Sequence, residues 1–251
     1  MAKVIILSGA GISAESGIST FRDSNGLWEN HKISDICIKG CFENNRENTI
    51  KFYDKLRTNL KDKKPNHAHN VIAALKNKYP NDIDIITQNI DDLFEKAKCR
   101  DILHLHGFLK ELVCVKCEEI INIGYEEQLN KFEDCPECKN PLRPNIVFFN
   151  EPTPNYEYLY DKLKDCEVLV VIGSSGAVVN TDFFVLDSSI KMSILNNLEH
   201  SVYLNENLYS KVLLKKATEA IDEIANDIEE YLNKDKPLKV ISKIFKKFIK
   251  K

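Results

Sequence analysis

Val4-Ile5-Ile6-Leu7-Ser8-Gly9-Ala10-Gly11-Ile12-Ser13-Ala14 is the stretch that decides the fold class. A continuous apolar run with β-branched residues reads as a parallel strand covered on both faces, and it ends at a glycine. Two glycines spaced by one residue, followed by small residues and then a helical pattern, make the turn through which backbone can approach a pyrophosphate. Further short apolar runs occur at Ile83-Asp84-Ile85-Ile86-Thr87, Val168-Leu169-Val170-Val171-Ile172 and Met192-Ser193-Ile194-Leu195, with Tyr203-Leu204 a weaker strand candidate. Helical patterns around 66–79, 90–98, 156–165 and 215–232 separate several of these runs. Strands alternating with helices predict an α/β fold with a Rossmann-like, doubly wound parallel sheet.

The bulk numbers agree with a soluble globular chain. At 251 residues, 43% hydrophobic and 29% charged, it has enough length for one large domain with a small insert. The net charge of −3 has no dominant sign, so nucleic acid is not expected as a partner. The apolar positions after Lys3 are interrupted by Glu15 without a signal-cleavage pattern, and no run approaches a membrane span. Eight cysteines without a secretory signal point to metal ligands or free thiols and to a cytoplasmic location. Residues 233–251 form a basic amphipathic tail. Val240, Ile241, Ile244, Phe245, Phe248 and Ile249 fall at helical spacing among lysines. That pattern fits a helix packed on the domain or on a second subunit, and equally a membrane-surface or acidic-partner contact.

Residues 112–142 break the strand–helix rhythm. Cys114-Val115-Lys116-Cys117 and Cys135-Pro136-Glu137-Cys138 stand seventeen residues apart, the spacing of two knuckles that give four thiolates to one tetrahedral structural zinc. Cys37, Cys41, Cys99 and Cys166 have no such spacing. Glu118, Glu119, Glu126, Glu127, Glu133, Asp134 and Glu137 outnumber Lys116, Lys131 and Lys139 in the insert, which argues against a zinc ribbon that binds phosphate backbones. A second irregular stretch, 22–65, suits a mobile cofactor loop with a helical segment over a ligand site. The catalytic domain is expected to span 1–232.

The glycine turn alone does not separate an oxidoreductase from other dinucleotide users, but its continuation does. Glu15-Ser16-Gly17-Ile18-Ser19-Thr20-Phe21-Arg22-Asp23 and Gly26-Leu27-Trp28 follow, and the block from Gly9 resembles the cofactor signature of the sirtuin family. Thr87-Gln88-Asn89-Ile90-Asp91-Asp92-Leu93, His104-Leu105-His106-Gly107 and Leu142-Arg143-Pro144-Asn145-Ile146-Val147 extend the resemblance in order. It runs on through Gly173-Ser174-Ser175 and Asn197-Leu198-Glu199 to Lys216-Ala217-Thr218-Glu219, closest in pattern to bacterial sirtuins.

The resemblance implies an NAD-dependent protein-lysine deacylase. In that chemistry the acyl-lysine amide oxygen attacks the ribose carbon bearing nicotinamide, nicotinamide leaves, and the acyl group departs on ADP-ribose. His106 is implied as the general base, a role that an imidazole with a pKa near neutrality can fill. Asn89 with Gln88 is implied to position ribose hydroxyls and water, and Asp91 with the Ile90 backbone to hold the carboxamide. Phe21, Arg22 and Trp28 belong to the cofactor loop, beside Gly9, Ala10 and Gly11. Gly173, Ser174, Ser175, Asn197, Leu198, Glu199 and Ala217 would line the adenosine half. Acyl-lysine protein or peptide substrates are expected to add as a strand along Val147 and Phe149.

Acyl preference turns on Phe52-Tyr53-Asp54-Lys55-Leu56-Arg57. Sirtuins that prefer succinyl and malonyl groups carry a tyrosine and, three residues on, an arginine that clamps the acyl carboxylate. Tyr53 fits, but Leu56 holds the arginine's position and Arg57 lies one residue late, about 100° round a helix. Neutral acyl groups are therefore favoured, with desuccinylase or demalonylase activity and mono-ADP-ribosyl transfer as alternatives. Asn150 stands for a usual glycine, Asn180 for a usual proline, and Phe94 and Lys98 for a histidine and a glycine.

Overall fold

β1 (Val4–Ser8) is buried at every position, as a strand at the centre of a sheet must be. In the computed structural model, which describes residues 2–19 and 36–234, it pairs in parallel with β2 (Ile83–Thr87) on one side and β7 (Val168–Ile172) on the other. β3 (Ile102–His104) extends the sheet beyond β2, and β8 (Met192–Asn197) and β9 (Lys211–Leu214) extend it beyond β7, all in parallel. The order β3-β2-β1-β7-β8-β9 reverses direction between β1 and β7. Crossovers therefore leave to opposite faces, and the topology places a ligand crevice beyond the carboxyl ends of those two strands.

Alternation along the strands feeds two cores. Val4, Ile6, Ile85, Val170 and Ile194 face α4 (His67–Lys78) and α8 (Ala217–Lys234). Ile5, Leu7, Ile86, Leu169 and Leu195 pack on the other face with Leu159 of α6 (Asn155–Leu163), with Phe184 and Val185 of α7 (Asp182–Val185) at its margin. The Asn66 side chain starts α4 by accepting from the amides of Ala68 and His69. No helix among the described residues is long and apolar enough to cross a membrane.

A small lobe is built on an antiparallel sheet, β5-β4-β6, from β4 (Gly107–Cys114), β5 (Ile120–Asn122) and β6 (Leu142–Ile146). It runs from 107 to 146, wider than the 112–142 marked by the cysteines, because the strands that carry the knuckles extend past them. Within the stretch 22–65, the described part holds helix: α2 (Cys41–Asn44) and the fifteen-residue α3 (Arg46–Leu60) belong to this lobe. Ile50, Tyr53 and Leu60 of α3 pack against Leu109, Ile146 and Phe148. The extent of the expected helical segment escapes pattern reading because Thr49, Asp54 and Arg57, polar in sequence, are buried in it. The Asp54 carboxylate accepts from the amides of Gln128 (2.9 Å) and Leu129 (3.0 Å) and pairs with Arg57, whose Nε donates to the Leu109 carbonyl at 2.6 Å. Tyr203-Leu204 is not a strand. It lies in a turn with Tyr203 exposed, and β9 at Lys211–Leu214 completes the sheet instead. Phe21, Arg22, Trp28 and the tail beyond Lys234 lie outside the described residues.

Gly107 joins the lobes with φ of +92°, and a Cβ there would sit 2.0 Å from the Asn145 carbonyl oxygen. Gly107→Ala therefore combines an unfavourable backbone with a backbone clash, together costing about 2–5 kcal/mol. A melting temperature lower by roughly 5–15 °C is expected; an unchanged thermal melt contradicts this account of the junction.

Candidate active site and metal centre

The crevice is closed at its base by backbone. The Gly9 amide donates to the Ile172 carbonyl and the Gly11 amide to the Gly173 carbonyl, both at 2.9 Å. A Cβ on Gly9 would lie 2.7 Å from the Gly173 oxygen, one on Gly11 2.7 Å from the Gly173 Cα, and one on Gly173 2.5 Å from the Ile12 nitrogen. These glycines are thus required for chain-to-chain contact, in addition to the phosphate approach read from their spacing. Ala10, partly exposed, leads into the single-turn α1 (Gly11–Ala14).

The carboxyl end of β2 supplies the polar wall. The Gln88 side-chain amide donates to the Ser174 hydroxyl at 2.9 Å. The Asn89 side-chain Nδ2 donates to the Ser13 hydroxyl (3.1 Å) and the Gly9 carbonyl (3.2 Å), and Ser13 donates to Asp91 at 2.8 Å. Asp91 also accepts from the Leu93 amide at 3.1 Å. Burial pushes the Asp91 carboxyl above its ordinary range, while the Leu93 amide and Ser13 hydroxyl pull it back. Ile90 is tied to the small lobe, its carbonyl accepting from the Leu109 amide at 2.9 Å.

His106 sits between β3 and β4, with its Nδ1 3.0 Å from the Gln88 carbonyl and its Nε2 3.2 Å from the Tyr156 hydroxyl. A carbonyl only accepts, so Nδ1 carries the proton and Nε2 keeps its lone pair in the neutral ring. Burial lowers the His106 pKa and the Gln88 carbonyl only partly offsets this. His104, two residues earlier, bonds the Asn89 carbonyl (2.9 Å) and Glu95 (2.8 Å). Burial is the largest influence and works against its charge, but Glu95, the Asn89 carbonyl and Asp91 together outweigh it and the net shift is upward. His67 makes an exposed contact with Asp222, and His69 is buried, its pKa pushed down to about 4 by that burial.

On the far side of the switch point, the Asn197 amide donates to the Ser174 carbonyl at 3.0 Å, and the Ser175 carbonyl accepts from Ser201 at 2.5 Å. Leu198 and Glu199 are exposed beyond β8. Ala217 begins α8, where the Thr218 amide and hydroxyl both donate to the Glu15 carboxylate. Asn180 donates to the Tyr203 carbonyl and accepts from the Asp182 amide, contacts that a proline side chain cannot make. Asn150 and Lys98, at usual glycine positions, take φ of +68° and +62°.

Tyr53 is buried, with its hydroxyl 3.5 Å from the Cys37 sulfur, and Leu56 packs at the edge of the same apolar cluster. Part of the backbone expected to receive a peptide strand is engaged within the lobe. The Val147 amide donates to the His106 carbonyl at 3.0 Å, the Phe149 amide to the Cys37 carbonyl at 2.7 Å, and the Phe149 carbonyl accepts from Lys39 at 2.8 Å. Those three groups close the lobe internally.

The four sulfurs of Cys114, Cys117, Cys135 and Cys138 lie within 4.8 Å of one another, with contacts of 3.4 to 3.6 Å. Disulfides need about 2.05 Å, whereas thiolates about 2.3 Å from a tetrahedral zinc lie about 3.8 Å apart. The donor set fits one structural zinc. Lys116 and Asn140 direct N–H groups at Cys114 and Cys138, orienting the ligands. Sequence reading passed over Ser13, Glu15, Glu95 and Tyr156. Ser13 hides among the small residues of the glycine turn, and the others join the site only through tertiary contacts.

The sequence model of the Sir2 family matches residues 9–180. An NAD-dependent protein deacylase of Campylobacter jejuni strain RM1221 is 46% identical over 233 residues, 92% of this chain and 98% of that protein. The crystal structure of a Sir2 homologue–NAD complex superposes with a TM-score of 0.80 at 28% identity, covering 91% of this chain and 90% of that one. A Sir2 structure with an inhibitor, 2′-O-acetyl-ADP-ribose and a deacetylated p53 peptide gives 0.69 at 27% identity, over 89% and 93% of the two chains.

Elemental analysis is expected to find one zinc per chain. Replacing the buried ligand Cys135 by serine should release it and lower the melting temperature by on the order of 10 °C. Full metal retention in that variant overturns the assignment.

Proposed function

The chain belongs to the Sir2 family and is an NAD-dependent protein deacylase, and we propose that it removes neutral acyl groups, acetyl foremost, from lysine side chains with His106 as general base. The observation that carries the base assignment is the neutral imidazole at the crevice, its Nδ1 proton fixed on the Gln88 carbonyl and its Nε2 lone pair left for a hydroxyl. NAD, when bound, supplies the scissile nicotinamide–ribose bond and the ribose that accepts the acyl group. Hydroxyl, amide and imidazole groups converge where it would lie, and the carboxyl end of β2 carries Thr87-Gln88-Asn89, not the acidic ribose ligand of an ordinary dinucleotide reductase.

Within that reading Asn89, held by Ser13 and the Gly9 carbonyl, positions ribose hydroxyls and water. Asp91 and the Ile90 backbone hold the carboxamide, while Gly173, Ser174, Ser175, Asn197, Leu198, Glu199 and Ala217 line the adenosine half. Phe21, Arg22 and Trp28 would complete the cofactor site. The neutral-acyl preference rests on Arg57, which has no exposed surface and is committed to Asp54 and the Leu109 carbonyl. It is therefore not available to clamp a carboxylate. Leu56 and Tyr53 instead border a cluster lined by Cys37, Ile146 and Phe148. Acylated protein or peptide substrates fit this assignment. Eight unpaired cysteines support a reducing cytoplasmic setting.

Mass spectrometry of acetyl-, succinyl- and long-chain acyl-lysine peptides with NAD is the direct test. The acetyl peptide should lose its acyl group with nicotinamide release, and His106→Ala should slow this by about 10²–10⁴-fold. ADP-ribosylated protein without deacylation would instead mark a transferase. Because burial lowers the His106 pKa, its basic form persists below the ordinary histidine value of about 6.5. The acid limb of the kcat/KM profile should therefore fall below that pH, and a limb above it contradicts the assignment. Leu56→Arg should raise the succinyl-to-acetyl ratio of kcat/KM by about ten- to a hundredfold, the range of a charged hydrogen bond; no change would detach Leu56 from the acyl site.

A further inference from the structure

The Nε2 lone pair of His106 is not empty in the ligand-free chain: the Tyr156 hydroxyl lies 3.2 Å from it. Since Nδ1 carries the ring proton, the hydroxyl donates. Burial raises the Tyr156 pKa, so the phenol stays protonated and able to do so. Tyr156 is set there by its helix. The Asn155 side chain donates to the His104 carbonyl at 2.7 Å, which pins the start of α6 two residues from His106. The Tyr156 ring meets Tyr160 edge-on at 6.5 Å, and Tyr160 meets Phe184 of α7 at 6.1 Å. The half-buried ring thus has a defined seat, and its hydroxyl occupies the acceptor that a general base must offer to a substrate hydroxyl.

We infer that Tyr156 is a positioning residue that caps His106 in the free enzyme and is displaced from Nε2 by a ribose hydroxyl when the dinucleotide binds. The inference rests on the assignment of His106 as the base. One lone pair accepts one such proton, so a ribose hydroxyl and the Tyr156 hydroxyl compete for it. The cap keeps the buried imidazole nitrogen satisfied between turnovers, when leaving it bare is unfavourable. The consequence is a penalty on cofactor binding equal to the contact that must be broken. The ring stack ties this movement to α7, which follows the segment 173–181 on the adenosine side.

Tyr156→Phe keeps the ring and removes the donor. Calorimetric titration of the full chain with NAD, without peptide, should give binding about three- to tenfold tighter than wild type, the range of one net hydrogen bond. Tyr160→Phe is the matched comparison, since it preserves the stack and lacks contact with His106. A merely structural role for Tyr156 predicts weaker binding, so unchanged or weaker affinity overturns the inference. In ¹⁵N-histidine spectra of the ligand-free protein, the His106 Nε2 resonance should move in Tyr156→Phe and stay in Tyr160→Phe; an unmoved resonance also overturns it. Failure of wild type to bind NAD would instead sink the site assignment, and the two failures are therefore distinguishable.

Discussion

Where β1 and β7 part, the backbones of Gly9, Gly11 and Gly173 meet with no room for a methyl group between them. The site inherits its geometry from that contact. Because the turn after β1 lies against the turn after β7, Ser13 comes within reach of Asn89 and Asp91, and Ser174 within reach of Gln88. A wider approach would separate the strand ends that carry these groups. The polar network is small and each member restrains another, so it is preorganised before any ligand enters.

The small lobe depends on a different kind of constraint. Its sheet has three short strands, too little apolar surface to be stable alone. The four-cysteine cluster, which fits one zinc, is one staple, and buried charge supplies others. Asp54 caps two amides of the insert while pairing with Arg57. Asp92, with no exposed surface, accepts from Tyr125 at 2.5 Å and lies 3.3 and 3.4 Å from Lys96 and Lys110. Charges this deeply placed are tolerated only when paired, and removing one partner costs more than the pair contributes. Their value here is orientation, since Asp92 adjoins Asp91 of the crevice and fixes the lobe against it.

The parallel sheet was legible because its central strands are apolar at nearly every position, and the runs at 4–8, 83–87 and 168–172 coincide with β1, β2 and β7. The zinc ligands were legible because spacing alone identifies them. α3 was legible only as a helical segment without bounds, since its inward face mixes Ile50 and Tyr53 with Asp54 and Arg57, whose burial makes sense only once Gln128, Leu129 and Leu109 are beside them. The same limit hid Tyr156 and Ser13, whose importance lies in what they touch. β9 was missed for another reason: Lys211-Val212-Leu213-Leu214 is short and partly exposed, whereas Tyr203-Leu204 looked apolar but lies in a turn.

His104-Leu105-His106-Gly107 shows how tertiary context divides roles that a sequence leaves equivalent. Both imidazoles engage a backbone carbonyl through Nδ1, His104 that of Asn89 and His106 that of Gln88. The difference lies at Nε2. His104 faces a carboxylate, which shifts the ring toward the imidazolium, the form that donates both to Glu95 and to the Asn89 carbonyl. His106 faces a phenol, with no carboxylate among its hydrogen-bond partners, so burial prevails and the ring stays neutral. A base must start unprotonated and a strut must not let go. The carboxylate of Glu95, placed against one histidine and not the other, suits each ring to its part in the proposed reaction.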